Sequence, residues 1–327
     1  MDLKDIKTYL GRDWTETQQL MVDTLRSDID LLNSTNSNLL AHAGKQLRPV
    51  LALLVARACN AGKATDDTYH FAAAAELLHN ATLLHDDVAD DSDERRGQPT
   101  IKALMGTSVS VLLGDYWLVK AMRLILDSPT HGAGVMKYFA DTLSNLAEGE
   151  LLQLEKAEKG DTDEQDYFKI IFDKTASLFK ASAISAAISV GASDQVRDAV
   201  TEYAVQMGLA FQIKDDIFDY SDNVEVGKPL GVDILEQKIT MPLLGALSKV
   251  DEAENKRIRS LVTDIHEHPE NRDIILTFVK EHDGLGVAKA HLATCLEKAV
   301  NQLDILPDSQ EKEYLVNLAR FVAIRNN

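Results

Sequence analysis

Two short acidic segments carry the residue types best suited to chemistry. The first, Asp86-Asp87-Val88-Ala89-Asp90, ends an apolar stretch and leads into a polar loop containing Arg95-Arg96. The second, Asp215-Asp216-Ile217-Phe218-Asp219, follows Gln212 and opens into another polar loop. In each, the first and last aspartates stand four residues apart, so on a helix both carboxylates leave one face about a turn from each other. His79, seven residues before Asp86, shares that face. Carboxylates at a helix C-terminus lie at the negative end of the macrodipole, which is unfavourable without cations. On the residues alone two readings stay open: solvated helix ends of an acidic protein, or sites for a hard divalent cation. Mg2+ suits these donors best, because it takes one or two carboxylates together with waters and phosphate oxygens.

A magnesium–carboxylate site implies an anionic ligand, and basic residues stand in the right company. Ala43-Gly44-Lys45-Gln46-Leu47-Arg48-Pro49 puts Lys45 and Arg48 three apart where a helix begins. Pro49 suits a first helical turn and Gly44 lets backbone approach a ligand closely. Lys174-Thr175 lies inside the apolar segment Ile170–Ala187, where an ammonium without a partner would be costly. Gly227-Lys228-Pro229-Leu230-Gly231 and Lys238 follow the second acidic segment. Taken singly, each of these is commonly a surface residue, and Gln212 and His79 could equally be satisfied core polar groups. As a set they allow two diphosphates, one bridged by metals and one held by Lys and Arg.

The elements that must position these residues read as helices. Pro49–Cys59, Phe71–Leu84, Ser108–Leu126, Lys137–Leu154, Tyr167–Val190 and Ala199–Phe218 carry apolar residues at three- and four-residue spacing. Ala, Leu, Glu and Lys fill most other positions, which favours helix by propensity. Alternating β-branched strands of useful length are missing. The polar breaks, among them Asn60–Asp67, Asp91–Pro99, Glu158–Gln165 and Ser221–Gly231, contain Gly, Pro or clustered Asp, Asn and Ser. None reads as a domain linker, and no repeat of fixed period occurs. The expectation is an all-α bundle forming one domain over residues 1–327, with the first ~40 residues as peripheral helices.

Composition narrows the class. With 34 Lys and Arg against 52 Asp and Glu, the formal net charge is -18. That argues against nucleic-acid binding, which draws on an excess of basic side chains. Cys59 and Cys295 lie far apart without metal-ligand spacing, so neither a disulfide framework nor a zinc site is expected, and a reducing cytoplasm fits best. No stretch reaches the ~18 apolar residues of a membrane span, and MDLKDIKTYL lacks a signal-peptide core. Membrane contact is expected only at the periphery, through product release.

In order along the chain, Gly-Lys-x-x-Arg-Pro, Asp-Asp-x-x-Asp with Arg-Arg-Gly, Lys-Thr, Gln-x-x-Asp-Asp-x-x-Asp and Gly-Lys-x-x-Gly-x-Asp resemble the trans-isoprenyl diphosphate synthases. The match runs from about Gly44 to Pro242, and Glu148-Gly149-Glu150-Leu151-Leu152-Gln153 resembles a family helix lining the site. The resemblance implies the isoprenoid synthase bundle, a deep central cavity with both Asp-rich motifs at its mouth, in a homodimer. It implies that Asp86, Asp90 and Asp215 bind magnesium, with Asp87, Asp216 and Asp219 alongside. Arg95, Lys174, Thr175, Gln212, Lys228 and Lys238 would hold an allylic diphosphate. Lys45, Arg48, His79 and Arg96 would hold isopentenyl diphosphate. Where the family often has Gly-Gly-Lys, this chain has Ala43-Gly44-Lys45.

Two other readings fit less well. A class I terpene cyclase would leave Lys45, Arg48 and Arg96 idle, and its second motif usually ends in Ser and Glu where this chain has Asp219 and Asn223. A catalytically silent subunit could lose aspartates or the Arg pair at no cost, and this chain keeps them all. Family synthases of short products place aromatic residues just before the first aspartate; here Ala81 and Thr82 stand there. By resemblance this is an open floor, as in octaprenyl and heptaprenyl synthases, with Met122, Leu126 or Phe139 as a more distant stop.

Overall fold

The structure, a computed structural model, describes residues 3–95, 97–221 and 230–324. Arg96 and Lys228, both expected to bind substrate, lie outside the described residues. Helices account for nearly all regular structure: α1 Leu3–Leu10, α2 Arg12–Thr24, α3 Asp30–Ala41, α4 Leu47–Cys59, α5 Asp66–Ala89, α6 Ile101–Met105, α7 Thr107–Leu126, α8 Gly132–Lys159 and α9 Glu164–Ile171 come first. A π-helical turn, Phe172–Ala176, leads into α10 Ser177–Ser189, followed by α11 Asp194–Asp219, α12 Val232–Leu235, α13 Met241–Leu247, α14 Glu252–Thr263, α15 Asn271–Glu281, α16 Gly284–Gln302 and α17 Gln310–Ile324. Among the described residues the only strands are β1 Glu94–Arg95 and β2 Gln98–Pro99, an antiparallel pair too short to carry a core.

Two compact units are present. The first holds the residues up to Ala140 with Ala181–Thr201 and Ile305–Leu315. Its centre is α4, α5 and α7, with α5 packed against both others. Seven consecutive residues of α4, Val50–Ala56, are fully buried, as are Phe71–Ala75 of α5. The helices start where local chemistry allows. Thr65 and Thr68 exchange side-chain and backbone hydrogen bonds as a capping box ahead of α5. Asp67 accepts the backbone N–H groups of Thr130 and His131, tying the start of α5 to that of α8. Buried Trp117 on α7 donates its indole N–H to Asn36 of α3 at 2.8 Å.

The second unit holds Asp141–Lys180, Glu202–Asp304 and the residues from Val316. Its apolar cluster joins Tyr220, Ile234, Leu243, Ile258, Val262, Ile275 and Phe278, drawn from α12 to α15 and the end of α11. Asp163 caps α9, with Asp166 returning the bond. Arg259 on α14 donates to the carbonyls of Gly160 and Thr162, which fixes the loop between α8 and α9.

Candidate active site

The first acidic cluster occupies the last turn of α5. Asp86 is half-buried and Asp90 exposed, whereas Asp87 between them is 4% exposed. Asp87 accepts the Arg95 Nε–H at 2.6 Å, so this pair ties β1 to the helix end. His79 and Thr82 are half-buried on the same helix, and Ala81 is buried. Lys45 follows Gly44, whose φ is 67°, and precedes Gln46, whose φ is 55°; two left-handed residues thus turn the chain into α4. Lys45, with Arg48 in the first turn of α4, is half-buried in this unit.

The second cluster lies at the end of α11. Asp215 is half-buried, and Asp216 is 3% exposed. Burial, together with neighbouring Asp215 and Asp219, pushes the Asp216 carboxyl up to about 7, against hydrogen bonds from Tyr167 and Gln212 that hold it down. Asp219 serves the backbone: its carboxylate accepts the N–H groups of Val232 and Asp233 at 3.0 and 3.1 Å, capping α12. Asp233, half-buried and crowded by Asp216 and Asp219, has its carboxyl held well above the usual range, with desolvation as the leading cause.

The π turn brings Lys174 and Thr175 to this cluster. The Ser177 N–H reaches back five residues to the Phe172 carbonyl, widening the helix where Lys174 sits. Two glycines on other helices make room. A Cβ on Gly149 of α8 would lie 2.7 Å from the Asp173 Cβ and 3.0 Å from the Lys174 Cγ. A Cβ on Gly208 of α11 would lie 2.6 Å from the Ala176 Cα. The Lys174 ammonium pairs with Glu150 and donates to Gln153 Oε1 at 3.1 Å, which answers the cost of an ammonium in apolar surroundings. The Thr175 hydroxyl donates to Gln212 Oε1 at 2.9 Å, and Gln212 Nε2 donates to Asp216 Oδ1 at 3.0 Å. The Tyr167 hydroxyl donates to Asp216 Oδ2. One hydrogen-bonded line therefore runs from the π turn to the second acidic cluster. A cavity of about 170 Å³ beside it is lined by Lys174, Gln212, Asp216, Asp233 and Lys238. Lys238 pairs with Glu236.

Among the described residues no three His, Cys, Asp or Glu side chains gather closely enough to hold an ion by themselves. Magnesium does not require that, since it keeps waters and takes substrate phosphates. Each unit offers carboxylates of the kind the ion takes: Asp86 and Asp90 in the first and Asp215 in the second are hard oxygen donors that reach solvent. Glu150, in the segment that resembles a site-lining family helix, meets Lys174, whereas Tyr167 was not singled out by spacing or resemblance. Tyr167 reads as an ordinary apolar position of α9, and only its contact with Asp216 marks it.

The polyprenyl synthetase family model matches residues 29–279. The octaprenyl diphosphate synthase of Haemophilus influenzae is 34% identical over 100% of this chain and 98% of its own length. A decaprenyl diphosphate synthase from Rhodobacter capsulatus superposes with a TM-score of 0.90 at 32% identity, covering 99% of this chain and 100% of that one. A polyprenyl synthase from Caulobacter crescentus CB15, complexed with calcium and isoprenyl diphosphate, also superposes with a TM-score of 0.90, at 31% identity over 100% of this chain and 98% of that one.

Proposed function

The chain belongs to the polyprenyl synthetase family, with its all-α isoprenoid synthase fold and its condensation of isopentenyl diphosphate with an allylic diphosphate, and from that premise we propose that it builds long all-trans products. The observation that carries the site reading is the line Thr175–Gln212–Asp216–Tyr167, which couples a lysine-bearing π turn to the second acidic cluster. Asp86, Asp90 and Asp215 bind Mg2+. Arg95, Lys174, Thr175, Gln212, Lys228 and Lys238 hold the allylic diphosphate, and Lys45, Arg48, His79 and Arg96 hold isopentenyl diphosphate. The calcium in the Caulobacter relative supports a divalent-cation site.

Ionising the allylic C–O bond leaves a carbocation and a diphosphate with added negative charge. Lys174 and the other basic residues stabilise that charge where it develops, without any protein nucleophile. Magnesium held by Asp86, Asp90 and Asp215 would supply Lewis-acid stabilisation of the leaving diphosphate. The double bond of isopentenyl diphosphate attacks the cation, and a proton is then lost to the released diphosphate. Apolar walls keep water from the cation.

Long products are supported by the small side chain of Ala81 on α5, only a methyl group five residues before Asp86. They are also supported by the names of the octaprenyl and decaprenyl relatives. Leu126 is 55% exposed and stands outside the first unit's core, whereas Phe139 is buried, so Phe139 is the better distant stop. Incubation with farnesyl diphosphate, isopentenyl diphosphate and magnesium, followed by product sizing, tests this; products ending at 20 carbons, one addition to the primer, would overturn it.

No helix among the described residues is long and apolar enough to cross a membrane. We place the enzyme in the cytoplasm, with both units acting as one synthase domain, since the family match spans them. A homodimer is supported by α7, which exposes Leu112, Val119 and Leu126 at seven-residue intervals and hence on one face. Val119→Glu should shift sedimentation toward the monomer; an unchanged profile would remove α7 from the interface.

A further inference from the structure

We propose that Gln153 is a further substrate-binding residue, whose carbonyl holds the Lys174 ammonium while its amide N–H donates to the allylic diphosphate. This rests on the reading that Lys174 binds that diphosphate. Gln153 lies four residues after Gly149 on α8, so it shares the helix face that presses on the π turn. Its Oε1 accepts the Lys174 ammonium at 3.1 Å. Its Nε2 is buried and meets no acceptor in the protein, and the residue lines the same cavity as Lys174, Gln212 and Lys238. Buried amide donors are nearly always satisfied, and the exceptions call for an explanation.

The chemistry of the two ends fits an anion beside a cation. Lys174 has three N–H donors; Glu150 and Gln153 each take one, which leaves the third for a phosphate oxygen. A diphosphate oxygen placed there accepts, and the Gln153 N–H is a donor of the matching kind. A carboxylate at this position would pair with Lys174 more strongly but would repel the diphosphate. The amide holds the lysine without that repulsion, while Glu150 supplies the negative charge one turn away.

Three variants of the full chain separate the roles: Gln153→Met loses both contacts, Gln153→Glu keeps the acceptor for Lys174 but reverses the donor, and Lys174→Met removes the ammonium. Steady-state kinetics with magnesium give KM for each substrate, titration calorimetry gives the affinity for inorganic diphosphate, and thermal unfolding checks folding. Both Gln153 variants should raise the allylic KM and weaken inorganic diphosphate binding about tenfold or more, with the isopentenyl KM within about twofold. Near wild-type allylic KM and diphosphate affinity in Gln153→Glu would overturn the proposal and leave Gln153 a tether for Lys174. Unchanged values in Lys174→Met would instead overturn the reading of Lys174. Gln153→Glu, close to isosteric, keeps the test open if Gln153→Met fails to fold.

Discussion

The Tyr167 hydroxyl donates to the buried Asp216 carboxyl across 2.5 Å, so a residue of α9 fixes the middle of an acidic cluster on α11. Removing that donor leaves a buried carboxyl oxygen short of a partner. Tyr167→Phe should cost about 1–3 kcal/mol of stability, measured as a lower denaturation midpoint at unchanged m-value. A midpoint equal to that of the parent would show that the contact is energetically idle.

Burial raises the Asp216 carboxyl from its ordinary value to about 7, which fixes the sign of a pH effect. Between its unfolded value near 4 and about 7, the folded state binds more protons than the unfolded one. Stability is then fully present below pH 4 and is lost as pH rises to 7. Asp216→Asn cannot ionise, so in chelator its stability should fall less than the parent's across this window. Parallel pH curves for the two proteins would contradict the buried, raised carboxyl.

Gly149 permits the close approach of α8 to the π turn. Gly149→Ala places a methyl group 2.7 Å from the Asp173 Cβ, and overpacking of this kind costs about 1–3 kcal/mol. Because Lys174 Cγ is the next nearest atom, kcat/KM for the allylic substrate should fall, with thermal unfolding shifted downward. A variant with the parent's kinetics and stability would show that the turn relaxes freely.

The helices and the two carboxylate pairs were legible because both depend on local spacing. Apolar periodicity marked α4, α5, α7 and α11, and the four-residue intervals placed Asp86 with Asp90 and Asp215 with Asp219. The π turn was not legible. Phe-Asp-Lys-Thr-Ala keeps an ordinary helical pattern, and the room for its widened backbone comes from Gly149 and Gly208, each more than 20 residues away. The division of labour among the aspartates was hidden for the same reason. Asp87 takes a bond from Arg95, Asp216 from Gln212 and Tyr167, and Asp219 from the N–H groups of α12; Tyr167 and α12 lie outside the motifs, and spacing does not say which aspartate each partner meets.

We propose Ala81 as a gate on product length. It lies about 7.5 Å of helical rise before Asp86, the scale of one to two isoprene units. Ala81→Phe should still condense its substrates but stop at farnesyl or geranylgeranyl diphosphate, since a ring in a packed wall leaves a longer tail no room. Unchanged product length in a folded variant would remove Ala81 from the channel.

The most direct test of the account is incorporation of labelled isopentenyl diphosphate into acid-stable prenyl product by the chain alone, with farnesyl diphosphate as primer. Incorporation should require magnesium, stop with chelator and resume when magnesium is restored. Asp86→Ala and Asp215→Ala should each cut turnover by at least a hundredfold, the scale of losing about 3–4 kcal/mol of transition-state stabilisation. Parent-level turnover in the double variant, or in chelator, would contradict the assignment of these carboxylates to a metal-assisted condensation.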